Sequence, residues 1–250
     1  MNFSVLQTTA AWAEERALSA EALPVCGSTN DVAKLWIESQ LAKSTPKFTP
    51  HFGLQKLIVT AHQTSGRGRG NHTWDLPDSD TGLLSSWIFR LPEVPAPVTS
   101  IRFGLALITA AQATFSSLSW ALKAPNDLLL GQQKCAGILI EGIQQGAQNW
   151  MIFGLGLNVW SAPSLATATS LNHAGAVGLS ASVWRQFLER LHLEIQLVLR
   201  SVSETELSLA EQSQLLFFLQ KNPHLRESLT RVHSNGDLQF GTKINSWINL

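Results

Sequence analysis

SWALKAPNDLLLGQQKCAGILIEGI, residues 119–143, reads as strand, turn, short strand, turn, strand. Pro125-Asn126-Asp127 and Gly131-Gln132 carry turn chemistry: proline presets φ, Asn and Asp side chains bond the nearby backbone, and glycine accepts positive φ. Lys123 and Lys134 stand on either side of the short strand. Lys134 and Glu141 flank the very apolar run Ala136 to Ile140, and charges in such places face solvent or are paired.

Working outward, the next strand, Trp150 to Val159, contains Gly154 and Gly156. Glycines inside a strand mark a bulge or the close approach of a ligand. Upstream, a strand over 55–61 runs into TAHQTSGRGRGNHTW, residues 60–74. There Gly66, Gly68 and Gly70 alternate with Arg67 and Arg69, and Trp74 closes the stretch. Glycine lets backbone approach a ligand, and arginine brings a permanent charge on a planar fork suited to carboxylate or phosphate. A cationic glycine loop leaving a strand suits an anionic small molecule; the plain alternative is an exposed Gly/Arg loop touching RNA.

Composition narrows the classes. The chain has 250 residues, 44% hydrophobic and 14% charged, with 18 basic and 18 acidic residues. A neutral, charge-poor chain builds a substantial core and lacks the clustered cations of a nucleic-acid surface. Cys26 and Cys135 have no metal-type spacing, and both lie near apolar residues, so buried reduced thiols, a cytoplasmic location and no protein-bound metal are expected. The longest membrane candidate, 101–122, is interrupted by Gln112, Ser116, Ser117 and Ser119 and reads as a buried helix.

The remaining elements follow from periodicity. Residues 9–23 form a short helix stopped by Pro24, and Ser28 or Thr29 caps a helix with Val32, Leu35, Trp36, Ile37 and Leu41. Residues 43–53 read as a polar loop and Gly82 to Arg90 as a strand. Ile101, Leu105, Ile108, Ala111 and Phe115 mark a core helix. After an Ala/Ser/Thr/Gly-rich connection over 161–179, Trp184, Phe187, Leu188, Leu191, Ile195 and Val198 mark a long amphipathic one. Beyond about residue 205 an apolar run, 215–219, precedes short strands at 229–232, 238–240 and 244–248. Asn235-Gly236 is a hairpin signal between the first two.

Three stretches, in this order, resemble the catalytic domain of biotin–protein ligases. They are Gln63 to Arg69 with Trp74; Lys123, Pro125-Asn126-Asp127, Lys134 and Ala136 to Leu139 ending at Glu141; and Gly154-Leu155-Gly156-Leu157-Asn158-Val159. Ser28-Thr29-Asn30 matches as well, and Ala168-Thr169-Ser170-Leu171 more loosely. The resemblance implies an α+β fold of the class II aminoacyl-tRNA synthetase type. That is a mixed, largely antiparallel sheet with helices on one side, over residues 1–204, followed by a small β-rich, divergent SH3-like unit, 205–250. The stretch before Ser28 is too short for the DNA-binding domain that some members carry, so no nucleic-acid partner and no membrane are expected.

The chemistry implied is activation of biotin by Mg2+-ATP as biotinyl-5′-AMP, then transfer to a lysine of a biotin carboxyl carrier protein. The resemblance assigns Arg69, Lys134 and Asp127 to catalysis, the last orienting or deprotonating the incoming lysine. It assigns Ser28, Thr29, Asn30, Gln63, Gly66, Arg67, Gly68, Arg69, Lys134 and Gly137 to biotin. Arg69, His72, Trp74, Lys123, Asn126 and Asn158 fall to ATP. Monomer and homodimer both remain open. The alternatives are a non-catalytic binder of biotin or its adenylate, and a lipoate or octanoate ligase. Two positions depart from the family pattern: Ala124 replaces a tryptophan, whose space Trp120 or Trp150 would refill, and His72 replaces a permanent cation. Asn71 also stands where a glycine is common.

Overall fold

A computed structural model describes residues 2–42, 52–70, 72–76 and 78–247; Asn71, most of the loop expected over 43–53 and the end of the last expected strand lie outside them. Seven strands form one sheet: β1 (Ala20–Cys26), β2 (Gly53–Gln63), β3 (Gly82–Leu91), β4 (Trp120–Lys123), β5 (Asp127–Leu130), β6 (Gln133–Gln145) and β7 (Gln148–Asn158). Their order across the sheet is β1-β2-β3-β7-β6-β5-β4. β1 runs parallel to β2, and every other neighbouring pair is antiparallel. Residues 119–143 supply β4, β5 and most of β6, joined by the two turns that the sequence marks.

A parallel pair needs a crossover, and α2 (Thr29–Leu41) provides it between β1 and β2. Alternation along the strands then sorts the helices. Leu57, Val59, Trp87, Phe89, Met151 and Phe153 share one large core with residues of α1 (Val5–Glu15), α3 (Thr99–Thr114) and α4 (Ala181–Arg200). The amphipathic stripe of α4 buries every residue that its periodicity marks. Ile58, Ile88 and Ile152 point the other way, onto Ala33 and Ile37 of α2. Each fully buried apolar side chain contributes about 1.5–3 kcal/mol, so the α1/α3/α4 face carries most of the stability.

The N-terminal expectation is corrected. The first helix spans Val5–Glu15, with the Ser4 side chain accepting from the Gln7 amide, and Pro24 does not stop it. Pro24 lies inside β1, a position open to proline because β1 is an edge strand and the missing N–H costs no ladder bond. Ser28 occupies the N-cap of α2, but its side chain makes no capping bond.

At the C-terminal end the apolar run 215–219 belongs to α5 (Leu209–Gln220), and Ser208 and Glu211 form a capping box at its start. A second, three-stranded sheet follows, β8 (Leu229–Val232), β9 (Leu238–Phe240) and β10 (Lys243–Asn245), in the order β10-β9-β8. The Asn235-Gly236 turn joins β8 to β9, with Gly236 at φ +87°. A Cβ there would meet Ile101 Cδ1 at 2.3 Å, so the turn packs hard against α3. Arg102 of α3, 2% exposed, holds the 201–206 connection: it donates to Glu211 (2.7 Å) and to the carbonyls of Ser201, Glu204 and Glu206.

Candidate functional site

A cleft of about 1070 Å3 opens on the α2 side of the sheet. It is lined by residues from the start of α2, the end of β2, the glycine loop, β3, the β4–β5 turn, β6, β7 and the 163–168 segment. A site of this size is at the upper end for small-molecule pockets, with room for two ligands.

One end is a buried polar network. Gln63 Oε1 accepts from the Thr29 amide (2.7 Å) and hydroxyl (3.1 Å). Ser86 Oγ lies 2.8 Å from Thr29 Oγ1 and donates to Asn30 Oδ1 at 2.6 Å. Ser28, Thr29, Asn30, Ser85 and Ser86 are all buried. Burial of Thr29, Asn30 and Ser86 is tolerated because they and Gln63 satisfy one another, while Ser85 accepts from Trp87 Nε1 at 3.2 Å. Gly154 is required beside them, since a Cβ there would sit 2.4 Å from Asn30 Oδ1.

The other end is cationic. Lys134, Arg69 and Lys123 line it together with Asp127, Asp75 and Asn126. Lys134 Nζ lies 2.6 Å from Asp127 Oδ1; this is an ion pair rather than an aligned hydrogen bond. The same ammonium stands 5.3 Å from the Trp74 ring centre. Trp74 lies flat over β6 and β7, for a Cβ on Gly137 or Gly156 would meet its ring at 2.9 or 2.4 Å. The strand glycines therefore mark no bulge of β7; they make room for Asn30 and Trp74. Lys134 is fixed from behind, where its backbone pairs with Thr167 and Thr169 (2.8 and 2.9 Å).

The glycine loop is tied at both ends. Trp74 N donates to the Gly66 carbonyl and Gly68 N to that of His72 (3.0 and 2.8 Å). Arg67 does not reach freely into the cleft. It forks, one nitrogen to Asp31 Oδ1 (2.5 Å) and one to Glu141 Oε1 (2.7 Å). Glu141 also accepts from Lys34 (2.7 Å) and Asn30 (2.8 Å). Burial alone would raise the Glu141 carboxyl, but the bonds from Lys34, Asn30 and Arg67 outweigh it and hold it below the usual carboxylate value.

All the residues assigned from the sequence converge on this cleft except Gly66, which is absent from its lining and is buried against the Trp74 carbonyl. Several of them also brace the scaffold. Asn126 Nδ2 donates to the Ile138 carbonyl and Asn158 Nδ2 to that of Thr169 (2.8 and 2.9 Å). Asn158 Oδ1 and Trp74 Nε1 are buried without a partner among the described residues, and both line the cleft, where a ligand can satisfy them. Trp150 does not fill the space at Ala124, since it lies in the α2 cluster; Trp120 belongs to the main core, against which Ala124 packs. Cys135 is buried, and burial pushes its thiol up; Cys26 is only half-buried.

Sequence reading missed Ser85, Ser86, Asp31 and Lys34. Two serines in the middle of the otherwise apolar run Leu83 to Phe89 were the available signal for the first two. The other two sit on an ordinary-looking helix face, and nothing local marks them.

The Biotin/lipoate A/B protein ligase family model matches residues 39–158. A biotin–[acetyl-CoA-carboxylase] ligase of Mycobacterium tuberculosis is 34% identical over 126 residues, 48% of this chain and 46% of that one. The bifunctional ligase/repressor BirA of Bacillus subtilis is 32% identical over 111 residues, 43% of this chain and 34% of that one. The chain thus spans about half, or less, of the curated relatives it matches. A biotin protein ligase from Aquifex aeolicus, in complex with biotin and ATP, superposes with a TM-score of 0.63 at 20% identity, covering 91% of this chain and 94% of that one. The fold is the one that this structure has.

Proposed function

We propose, from a chain whose residues 39–158 match the biotin/lipoate A/B protein ligase family model, that it activates biotin with ATP and passes it to a carrier lysine. The observation that carries this reading is the two-ended cleft: a buried polar network at one end, and Lys134, Arg69 and Lys123 at the other.

The polar end suits a compact ring that both donates and accepts hydrogen bonds, as biotin's ureido group does. Its walls also include Leu84, Leu139 and Leu155 for an apolar chain. The acid would end near Lys134 and Arg69. There two anions, a carboxylate and an α-phosphate, must meet, and fixed cations in a sheltered site make that possible. A carboxylate oxygen attacks the α-phosphorus, the bond to the bridging oxygen breaks, and pyrophosphate leaves. A lysine amine then attacks the acyl carbon of the mixed anhydride, and AMP leaves. Asp127, paired with Lys134 here, would orient that amine or take its proton once Lys134 turns to the phosphate. Trp74 and Asn158 would meet the nucleotide, and His72 sits at the loop's outer rim.

Among the described residues no cluster of three His, Cys, Asp or Glu is arranged to hold a metal. Magnesium arriving on ATP needs only phosphate oxygens and a carboxylate or two, and Asp75 and Asp127 line the cleft. Asp75 would hold it, with Asp127 left to the amine, and it would neutralise the leaving pyrophosphate. The same proposal divides the chain into a catalytic unit, 1–204, and a small C-terminal unit, 205–250. No helix among the described residues is long and apolar enough to cross a membrane.

The test is transfer: labelled biotin, Mg-ATP and a biotin carrier domain are incubated with the protein. Label on the carrier lysine supports the reading. Biotin bound tightly without ATP-dependent transfer leaves only a binding protein, and preference for lipoate or octanoate moves the substrate.

A further inference from the structure

Glu141 does not line the cleft, yet two of its partners do. Its Oε2 accepts from the Asn30 side chain (2.8 Å), and Asn30 is buried in the polar end of the site. Its Oε1 accepts from Arg67 (2.7 Å), which belongs to the glycine loop, and from Lys34 (2.7 Å). Arg67 reaches on to Asp31 in the first turn of α2. One carboxylate, 18% exposed, therefore joins the ring end of the cleft to the loop over the anion end.

We infer that Glu141 is a positioning residue which couples the Asn30 end of the site to the glycine loop, so that filling one end settles the other. The inference rests on the ligase reading above. Asn30 has no slack: its Oδ1 is taken by Ser86 and its Nδ2 by Glu141. A ligand that fixes the Asn30 amide fixes the carboxylate, and the carboxylate fixes the Arg67 fork. Arginine is needed because separate nitrogens must meet Asp31 and Glu141, which lysine, as a point charge, cannot do. Arg67 thereby anchors the loop, and the ligand is left to the neighbouring backbone and Arg69.

The experiment is amide hydrogen exchange over residues 64–70, with and without biotin and without ATP, in wild type, Glu141→Gln and Arg67→Lys. It is paired with calorimetric biotin affinity and the rate of adenylate formation. In wild type, biotin slows loop exchange by about tenfold or more. In Glu141→Gln, biotin still binds within a few-fold of wild type, the loop's response falls below about twofold, and kcat for adenylation drops more than biotin affinity does. Arg67→Lys falls between the two and guards against a Glu141 variant that fails to fold. A folded Glu141→Gln and Arg67→Lys with wild-type loop protection and kcat overturn the coupling while leaving the ligase reading intact. A wild-type protein that binds no biotin overturns both.

Discussion

Under α1, α3 and α4 the sheet presents Leu57, Trp87, Phe89, Met151 and Phe153, and nearly everything they touch is apolar. On the α2 side it begins in the same way, with Ile58, Ile88 and Ile152. A residue or two along each strand, this face changes to Ser86 on β3, bonded to Thr29 and Asn30, to Gly154, Gly156 and Asn158 on β7, and to Gly137 on β6. The apolar face stabilises the fold; the other face gives up apolar burial for a cleft that sets charges and polar groups in place. Damage to the first should unfold the protein, and damage to the second should leave it folded and inactive.

The largest effect expected from this contrast is on stability. Phe103 stacks on Phe153 at 4.7 Å and is fully buried. Phe103→Ala should cost about 3–5 kcal/mol, read as a lower denaturation midpoint. Lys134→Ala should do the reverse. Adenylation falls by about 100- to 1000-fold, as when one preorganised charge-stabilising donor is removed, while the denaturation midpoint stays near wild type. Loss of stability in Lys134→Ala comparable to that in Phe103→Ala would erase the distinction.

Gly156→Ala sharpens the contrast. Its Cβ would stand 2.4 Å from the Trp74 ring, so the ring must move. A weaker KM for ATP with an unchanged melting temperature is expected, and equal loss of both would show that Trp74 is packing alone.

Acid should separate the faces as well. Burial holds the His192 imidazole, between Trp12 and Trp87, below its ordinary 6.5, against the pull of Glu189 and with that of Arg16. The unfolded chain then binds the proton first, so stability is present above about pH 6.5 and declines as pH falls through the folded value. Glu141 is also held low, from an ordinary 4.5. Its contribution is present above that value and is lost only as pH drops through the lower folded one. Melting temperature should therefore start to fall near pH 6.5, less so in His192→Gln. Proteolytic opening of the glycine loop should wait until below about pH 4.5. Both transitions falling together would contradict the assignment. The smallest effect is at the rim: exposed His72 should change the KM for ATP only a few-fold on substitution by alanine.

These contrasts also explain what was legible beforehand. α4 was, because one apolar stripe on a long segment has a single reading, and 119–143 was, because two turns punctuate it. α5 was not: Leu215 to Leu219 is a contiguous run with no helical period, and the usable sign was the capping pair Ser208 and Glu211 outside it. β1 was obscured by Pro24, which only an edge position allows. In the cleft, glycines and cations stood out by residue type. Asp31, Lys34 and the anchoring role of Arg67 did not, because they depend on side chains of α2 and the glycine loop meeting at Glu141 of β6, contacts remote in sequence.

The most direct measurement of the central claim needs no carrier. Pyrophosphate–ATP exchange is followed with the pure protein and magnesium, with and without biotin. The account predicts exchange that requires biotin, a retained biotinyl-5′-AMP, and loss of both in a folded Lys134→Ala. Biotin binding with no biotin-dependent exchange in the wild-type protein, or full exchange in Lys134→Ala, would contradict it.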